Sequence, residues 1–187
     1  MSNGDNSLRI KGFTLVELLI VVALIAIVSA VAIPAVNSYR DQCGLRAAAM
    51  EICGMIREAK QKALVYERTY SVGFNTASGI VSLIAERGPD GKWNTADDKV
   101  ERYFALMDKG GVRFGYGLCG PLPTLAQATD GVTFQYNNTL ECNPNLSGNG
   151  GTAYLISPRG AAMAIVMNTT DFGYKLWRWN GKQWVRM

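Results

Sequence analysis

Glu17 is the one ionisable residue in an otherwise apolar run, and its position is the first chemical oddity of the 187-residue chain. From Phe13 to Val36 the only residues that are neither apolar nor small are Thr14, Glu17 and Ser29. A carboxylate in such surroundings costs several kcal/mol unless a cation meets it, which marks it as functional rather than decorative. Three other groups have chemical potential. Asp90, Asn94, Asp97 and Asp98 gather hard oxygen atoms in one short stretch, the donor type that Ca²⁺ takes. Lys175, Trp177, Trp179, Lys182, Trp184 and Arg186 interleave cations with large rings near the C-terminus, the combination that stacks bases and holds phosphates. Cys43, Cys53, Cys119 and Cys142 offer thiols. There is no histidine, so imidazole acid–base catalysis, His-dependent triads and histidine metal ligation are excluded. No nucleophile elbow, paired-carboxylate motif or Cys-x-x-Cys occurs, and the chain reads as a non-enzyme without a cofactor. A net charge of +4 is too small to imply nucleic-acid binding by itself.

The elements that hold these residues follow from periodicity. About 20 apolar residues at 1.5 Å each cross the ~30 Å hydrocarbon layer, so the run from Phe13 to Val36 is long enough to span. A cleaved secretory signal is the competing reading, with Ser29-Ala30-Val31-Ala32 imitating its cleavage site. Two details oppose it: the run continues without a turn into a helical pattern, and Glu17 stands near its start. Arg9 and Lys11 precede the span and place the N-terminus in the cytoplasm. Pro34 removes a backbone hydrogen bond and is expected to kink the helix near 30–34. Beyond it, Leu45, Ala49, Ile52, Ile56, Ala59, Ala63 and Tyr66 recur at spacings of three and four, an apolar stripe on one face. A helix from Phe13 to Tyr66 would measure roughly 80 Å.

After Tyr66 the period changes. Residues 68–74, 79–85, 100–105, 131–136, 152–157, 161–167, 174–179 and 182–187 read as short strands broken by Gly, Pro, Asn and Asp. The expected fold is α+β, a long helix whose C-terminal half packs on an antiparallel sheet. Asn180-Gly181 signals a two-residue hairpin loop, which sets Trp179 opposite Lys182, Trp177 opposite Trp184 and Lys175 opposite Arg186, all six on one face. That face either forms a platform for nucleic acid or buries its tryptophans against protein. The 88–98 stretch is either a weak Ca²⁺ loop or a set of solvated turns; its spacing is not that of an EF-hand.

Lys11-Gly12 followed by Phe13-Thr14-Leu15-Val16-Glu17, with Pro34 closing the apolar run, resembles the processing motif of type IV prepilins and type II secretion pseudopilins. The resemblance implies cleavage between Gly12 and Phe13 by a prepilin peptidase, methylation of the new Phe13 amine, and a salt bridge from that amine to Glu17 of a neighbouring subunit. Partners would be the peptidase, other pilins or pseudopilins in a helical filament, and the bacterial inner membrane. The organisation would be a leader over 1–12, a membrane or filament-core helix over 13–36, its amphipathic continuation over 37–66, and a periplasmic β domain over 67–187. Arg57-Glu58-Ala59-Lys60 and Ser157-Pro158-Arg159-Gly160 resemble segments of the GspH/FimT group of minor pilins and pseudopilins. Some FimT-type pilins are DNA receptors, so the terminal hairpin is also a candidate for DNA uptake. In a compartment that permits disulfides, Cys43 and Cys53 are ten residues apart on one helix, about 15 Å, too far to bridge. Cys119 and Cys142, in loops that a staple would help, are the expected pair, closing a loop worth roughly 3 kcal/mol.

Overall fold

The computed structural model describes residues 13–123, 129–169 and 172–187. Helix α1 runs from Leu15 to Val65, and the chain divides into two compact units, Met1–Ser38 and Tyr39–Met187. Within the second unit, α1 buries Leu45, Ala48, Ala49, Ile52, Cys53, Met55, Ile56, Ala59 and Ala63. The apolar stripe is therefore real, widened by Ala48, Cys53 and Met55. Tyr66 departs from it, lying past the end of the helix and 60% exposed.

Among the described residues nine strands follow, in two antiparallel sheets rather than the single sheet expected. Strands β1 (Tyr70–Asn75), β2 (Ile80–Glu86), β3 (Lys99–Ala105) and β5 (Thr139–Cys142) form the first, in the order β3-β2-β1-β5. Strands β4 (Arg113–Phe114), β6 (Gly151–Ile156), β7 (Ala162–Met167), β8 (Tyr174–Trp179) and β9 (Trp184–Arg186) form the second, in the order β4-β6-β7-β8-β9. One core joins them: the buried face of α1 meets Val72, Phe74, Val81 and Leu83 of the first sheet and Leu155, Met163 and Ile165 of the second. Small alanines on α1 let the helix sit close to both sheets.

The 131–136 strand does not form. Val132 makes a single bridge to Ala153, and the chain then turns left-handed, with Tyr136, Asn137 and Asn138 at φ 53, 61 and 54°. Asparagine tolerates that region, while tyrosine does so at a cost. Side-chain amides hold the turn: Asn137 Nδ2 donates to the Trp93 and Asn94 carbonyls at 3.2 and 3.0 Å, Asn94 Nδ2 donates to the Asn137 carbonyl at 3.0 Å, and Asn138 Nδ2 donates to Asp130 Oδ2 at 2.6 Å. The ladder hydrogen bonds of a strand lose to these side-chain ones.

Gly44 shows how close the packing is. A Cβ at that position would lie 2.3 Å from the Lys109 carbonyl oxygen, a backbone atom with little room to retreat. Gly44→Ala improves intrinsic helix propensity by about 1 kcal/mol, yet is expected to destabilise the second unit by about 1–3 kcal/mol through overpacking. Denaturant unfolding followed by near-UV circular dichroism measures the sign.

Candidate assembly site

Every residue from Phe13 to Val36 except Ser29 is exposed, with Phe13 at 84%. An 18-residue window of this helix has a mean hydropathy of 3.0, long and apolar enough to cross a membrane. The helix opens on a reciprocal cap. Glu17 N–H donates to Thr14 Oγ1 at 3.2 Å, and Glu17 Oε2 accepts from Thr14 N–H at 2.9 Å and Thr14 Oγ1 at 3.0 Å. This is a capping box, and its Thr-x-x-Glu spacing is a sequence signal separate from charge. Glu17 therefore starts the helix cleanly while presenting a carboxylate beside Phe13. Pro34 lies inside an α1 that is continuous on both sides of it. Gly12 and the rest of the expected 1–12 leader, including Arg9 and Lys11, lie outside the described residues.

The expected disulfide is not formed; all four cysteines are free. Cys142 belongs to β5, where it pairs with Tyr70 and is buried in the common core. Cys119 ends a short 3₁₀ turn after β4, on the second sheet's side, and its Sγ faces the Gly160 carbonyl at 3.6 Å. Residue 142 is a strand position rather than the loop position its neighbours suggest. Burial raises the Cys142 thiol to about 12 and the Cys53 thiol to about 11, with nearby cations Lys60 and Arg57 opposing. Thiolates are the reactive form, so Cys43, which is exposed, should be alkylated at least about tenfold faster than Cys53 or Cys142 in the folded chain. Mass mapping after a timed N-ethylmaleimide pulse checks this, and the difference should vanish in denaturant.

In the 88–98 connection the carboxylates serve the backbone. Asp98 Oδ1 and Oδ2 accept from Gly88 and Thr95 N–H, both at 3.0 Å; Asp97 accepts from Thr95 Oγ1 at 2.7 Å and Asp90 N–H at 3.3 Å; Asp90 Oδ1 accepts from Lys92 N–H at 2.8 Å. Asn94 points instead to the Asn137 carbonyl. Hydrogen bonding, chiefly from Thr95, holds the Asp97 carboxyl below its ordinary range. These are turn contacts, and among the described residues no three Asp, Glu or Cys side chains gather as metal ligands would.

The terminal hairpin forms with a different register. Trp179 pairs with Trp184 and Trp177 with Arg186, leaving Asn180, Gly181, Lys182 and Gln183 as a four-residue loop. The loop closes on Asn180, whose Oδ1 accepts from Lys182 and Gln183 N–H at 2.9 Å each. A shift of two residues preserves which face each side chain takes, so Lys175, Trp177, Trp179, Trp184 and Arg186 still share one, while Lys182 leaves it for the loop. That face is partly covered: Lys175 and the three tryptophans are half-buried, and Arg186 is exposed. Trp177 and Trp184 pack against Leu122, Tyr154 and Ala164, and Trp184 Nε1 donates to the Gly120 carbonyl at 3.2 Å. Trp179 meets Trp184 edge-on at 5.8 Å. The rings form a seam under the 116–122 segment instead of a stacking platform, and the nucleic-acid reading loses its basis.

The model of the prokaryotic N-terminal methylation motif matches residues 8–33, spanning Lys11 to Glu17 and most of the apolar helix. Residues 8–33 thus carry the prokaryotic N-terminal methylation motif. No curated protein matches it significantly. Among solved structures, the minor pseudopilin EpsH from the type 2 secretion system of Vibrio cholerae is similar to it at 11% identity and a TM-score of 0.45, over 71% of this chain and 94% of that one.

Outside the matched segment, the residue most easily missed is Asp41. It is the acid of α1 that goes into the protein, 6% exposed. Its Oδ1 accepts from Arg159 Nη1 at 2.7 Å and its Oδ2 from Ser157 Oγ at 3.2 Å. Ser157 Oγ in turn accepts from Ala161 N–H at 3.1 Å, and Gly160 takes φ +86° to let the chain turn. The Ser157-Pro158-Arg159-Gly160 motif thus clamps the β6–β7 turn onto α1. The motif is visible in the sequence; its partner, 116 residues upstream of Ser157, is not.

Proposed function

We propose that this chain is a minor pilin or pseudopilin of the GspH/FimT type, a structural subunit of a type IV pilus or a type II secretion pseudopilus. It is made with leader 1–12, cut between Gly12 and Phe13 by a prepilin peptidase and methylated on the new amine. Residues 13–36 anchor it in the inner membrane with the N-terminus cytoplasmic, and 37–66 continue the helix into the periplasm, where 67–187 form the β domain. Assembly transfers the apolar helix from lipid into a filament core among sister subunits. The observation that carries this reading is Glu17, held by Thr14 at the head of an apolar helix exposed on all sides. In hydrocarbon a carboxylate needs a cation, and cleavage before Phe13 creates one. Within one helix Glu17 is already engaged by Thr14, so a staggered neighbour's amine has access to its remaining oxygen. The test is the mass of the polypeptide purified from membranes. It should begin at N-methylated Phe13; a polypeptide that begins at Met1, or that fractionates without the membrane, overturns the reading.

A further inference from the structure

A groove of about 420 Å³ opens between α1 and the second sheet, walled by Tyr39, Leu45 and Arg46 on the helix, by Met163 and Arg178 on β7 and β8, and by Met187 just past β9. Its chemistry is one-sided. Arg46 and Arg178 are exposed and have no acidic partner among the described residues. No strand of the second sheet contains an Asp or Glu, while its strands carry Arg113, Lys175, Arg178 and Arg186. The nearby acid, Asp41, is committed to Arg159 and Ser157. Apolar surfaces line the same groove: Leu45 and Met163 are buried, with Tyr39 and Met187 exposed at 70% and 58%.

Most carboxylates of the chain are engaged, with Glu51, Glu58, Glu86, Glu101 and Glu141 in ion pairs, whereas Glu67 and Asp108 are exposed. Asp97 and Asp98 accept hydrogen bonds within their own turn. We infer that the groove seats an acidic segment with apolar side chains, supplied by a neighbouring filament subunit. Carboxylates of that segment pair with Arg46 and Arg178, whose planar forks suit them, and an apolar side chain between them enters the space among Leu45, Met163 and Met187. The inference rests on the filament reading, because that reading is what supplies a neighbouring subunit.

The probe is a labelled octapeptide of alternating Glu and Leu, with a Gln/Leu octapeptide and a DNA duplex for comparison, added to the full chain in non-ionic detergent. Cys43 lines the same groove, so occupancy should slow its alkylation. The Glu/Leu peptide is expected to bind, to slow Cys43 alkylation at least about fivefold, and to lose affinity at least about tenfold in Arg46→Glu/Arg178→Glu. Lys182→Glu/Arg186→Glu, outside the groove, should bind as wild type. Should the first variant fold poorly, Arg46→Gln/Arg178→Gln replaces it, and Cys43 protection in the wild-type chain still decides between an occupied and an empty groove. Absence of binding, binding indifferent to the two arginines, or equal binding of the Gln/Leu peptide overturns the inference; so does DNA that competes through the same arginines, which would make the groove a general polyanion site. A chain that begins at Met1 yet binds the peptide through Arg46 and Arg178 defeats the filament reading alone. One processed to Phe13 that ignores the peptide defeats the groove alone.

Discussion

Glu17→Gln is expected to cut incorporation into filaments at least about tenfold while leaving membrane insertion and leader cleavage intact. The reasoning depends on separating the two things that Glu17 does. As the fourth residue of a capping box it accepts from Thr14 N–H and Oγ1, and glutamine does that nearly as well. As a carboxylate it can neutralise an ammonium, which glutamine cannot do. If the methylated Phe13 amine of a neighbour is brought into the filament core, losing its counter-charge leaves a cation in a medium of low polarity. That costs several kcal/mol, and each 1.4 kcal/mol is about tenfold in an equilibrium. Thr14→Ala is the complementary variant: it removes the cap, worth about 1 kcal/mol, but keeps the charge, and should assemble close to normally. Sheared-filament yield against membrane-pool abundance measures both. Normal assembly by Glu17→Gln together with failure by Thr14→Ala would mean that the cap, and not the charge, is what matters.

The second large effect belongs to Asp41. Arg159→Ala should lower the stability of the 39–187 unit by about 2 kcal/mol, a few degrees in melting temperature, because a carboxylate only 6% exposed would keep one hydroxyl partner and lose its cation. Breaking a fully buried pair costs about 3–5 kcal/mol, and the smaller figure reflects the exposed side of Arg159, 53% accessible to water. Asp41→Ala removes both partners' acceptor and should cost a similar amount. In the double variant the two losses should fail to add by about 1 kcal/mol or more. Additive losses in thermal unfolding would show that the two residues act independently.

Much of the architecture is legible in the sequence because local rules govern it. The stripe from Leu45 to Ala63 is set by helix periodicity, and the strands from Tyr70 to Ala105 and from Thr152 to Trp179 by alternation and breakers. What sequence patterns miss involves residues far apart in the chain. Nothing near Gly131 to Tyr136 tells that Asn137 will bond to Trp93 and Asn94, so a plausible strand becomes a left-handed turn. Cys142 looks like a loop residue because asparagines and glycines follow it; pairing with Tyr70 makes it a core strand residue. The hairpin differs by two positions because Asn180 closes the loop with its own side chain on Lys182 and Gln183, which Asn-Gly statistics do not encode. At the assembly end the motif is readable in full, and the capping role of Thr14 lies in the same few residues, masked by the stronger signal of the Glu17 charge.

The reciprocal bonds between Asn94 and Asn137 join two surface connections 43 residues apart. Such a clasp makes the two connections a single heritable unit. Lengthening either one by a residue would pull an amide out of reach and release three left-handed residues at once, so over evolutionary time the pair should change in step while the sheet beneath them stays as it is.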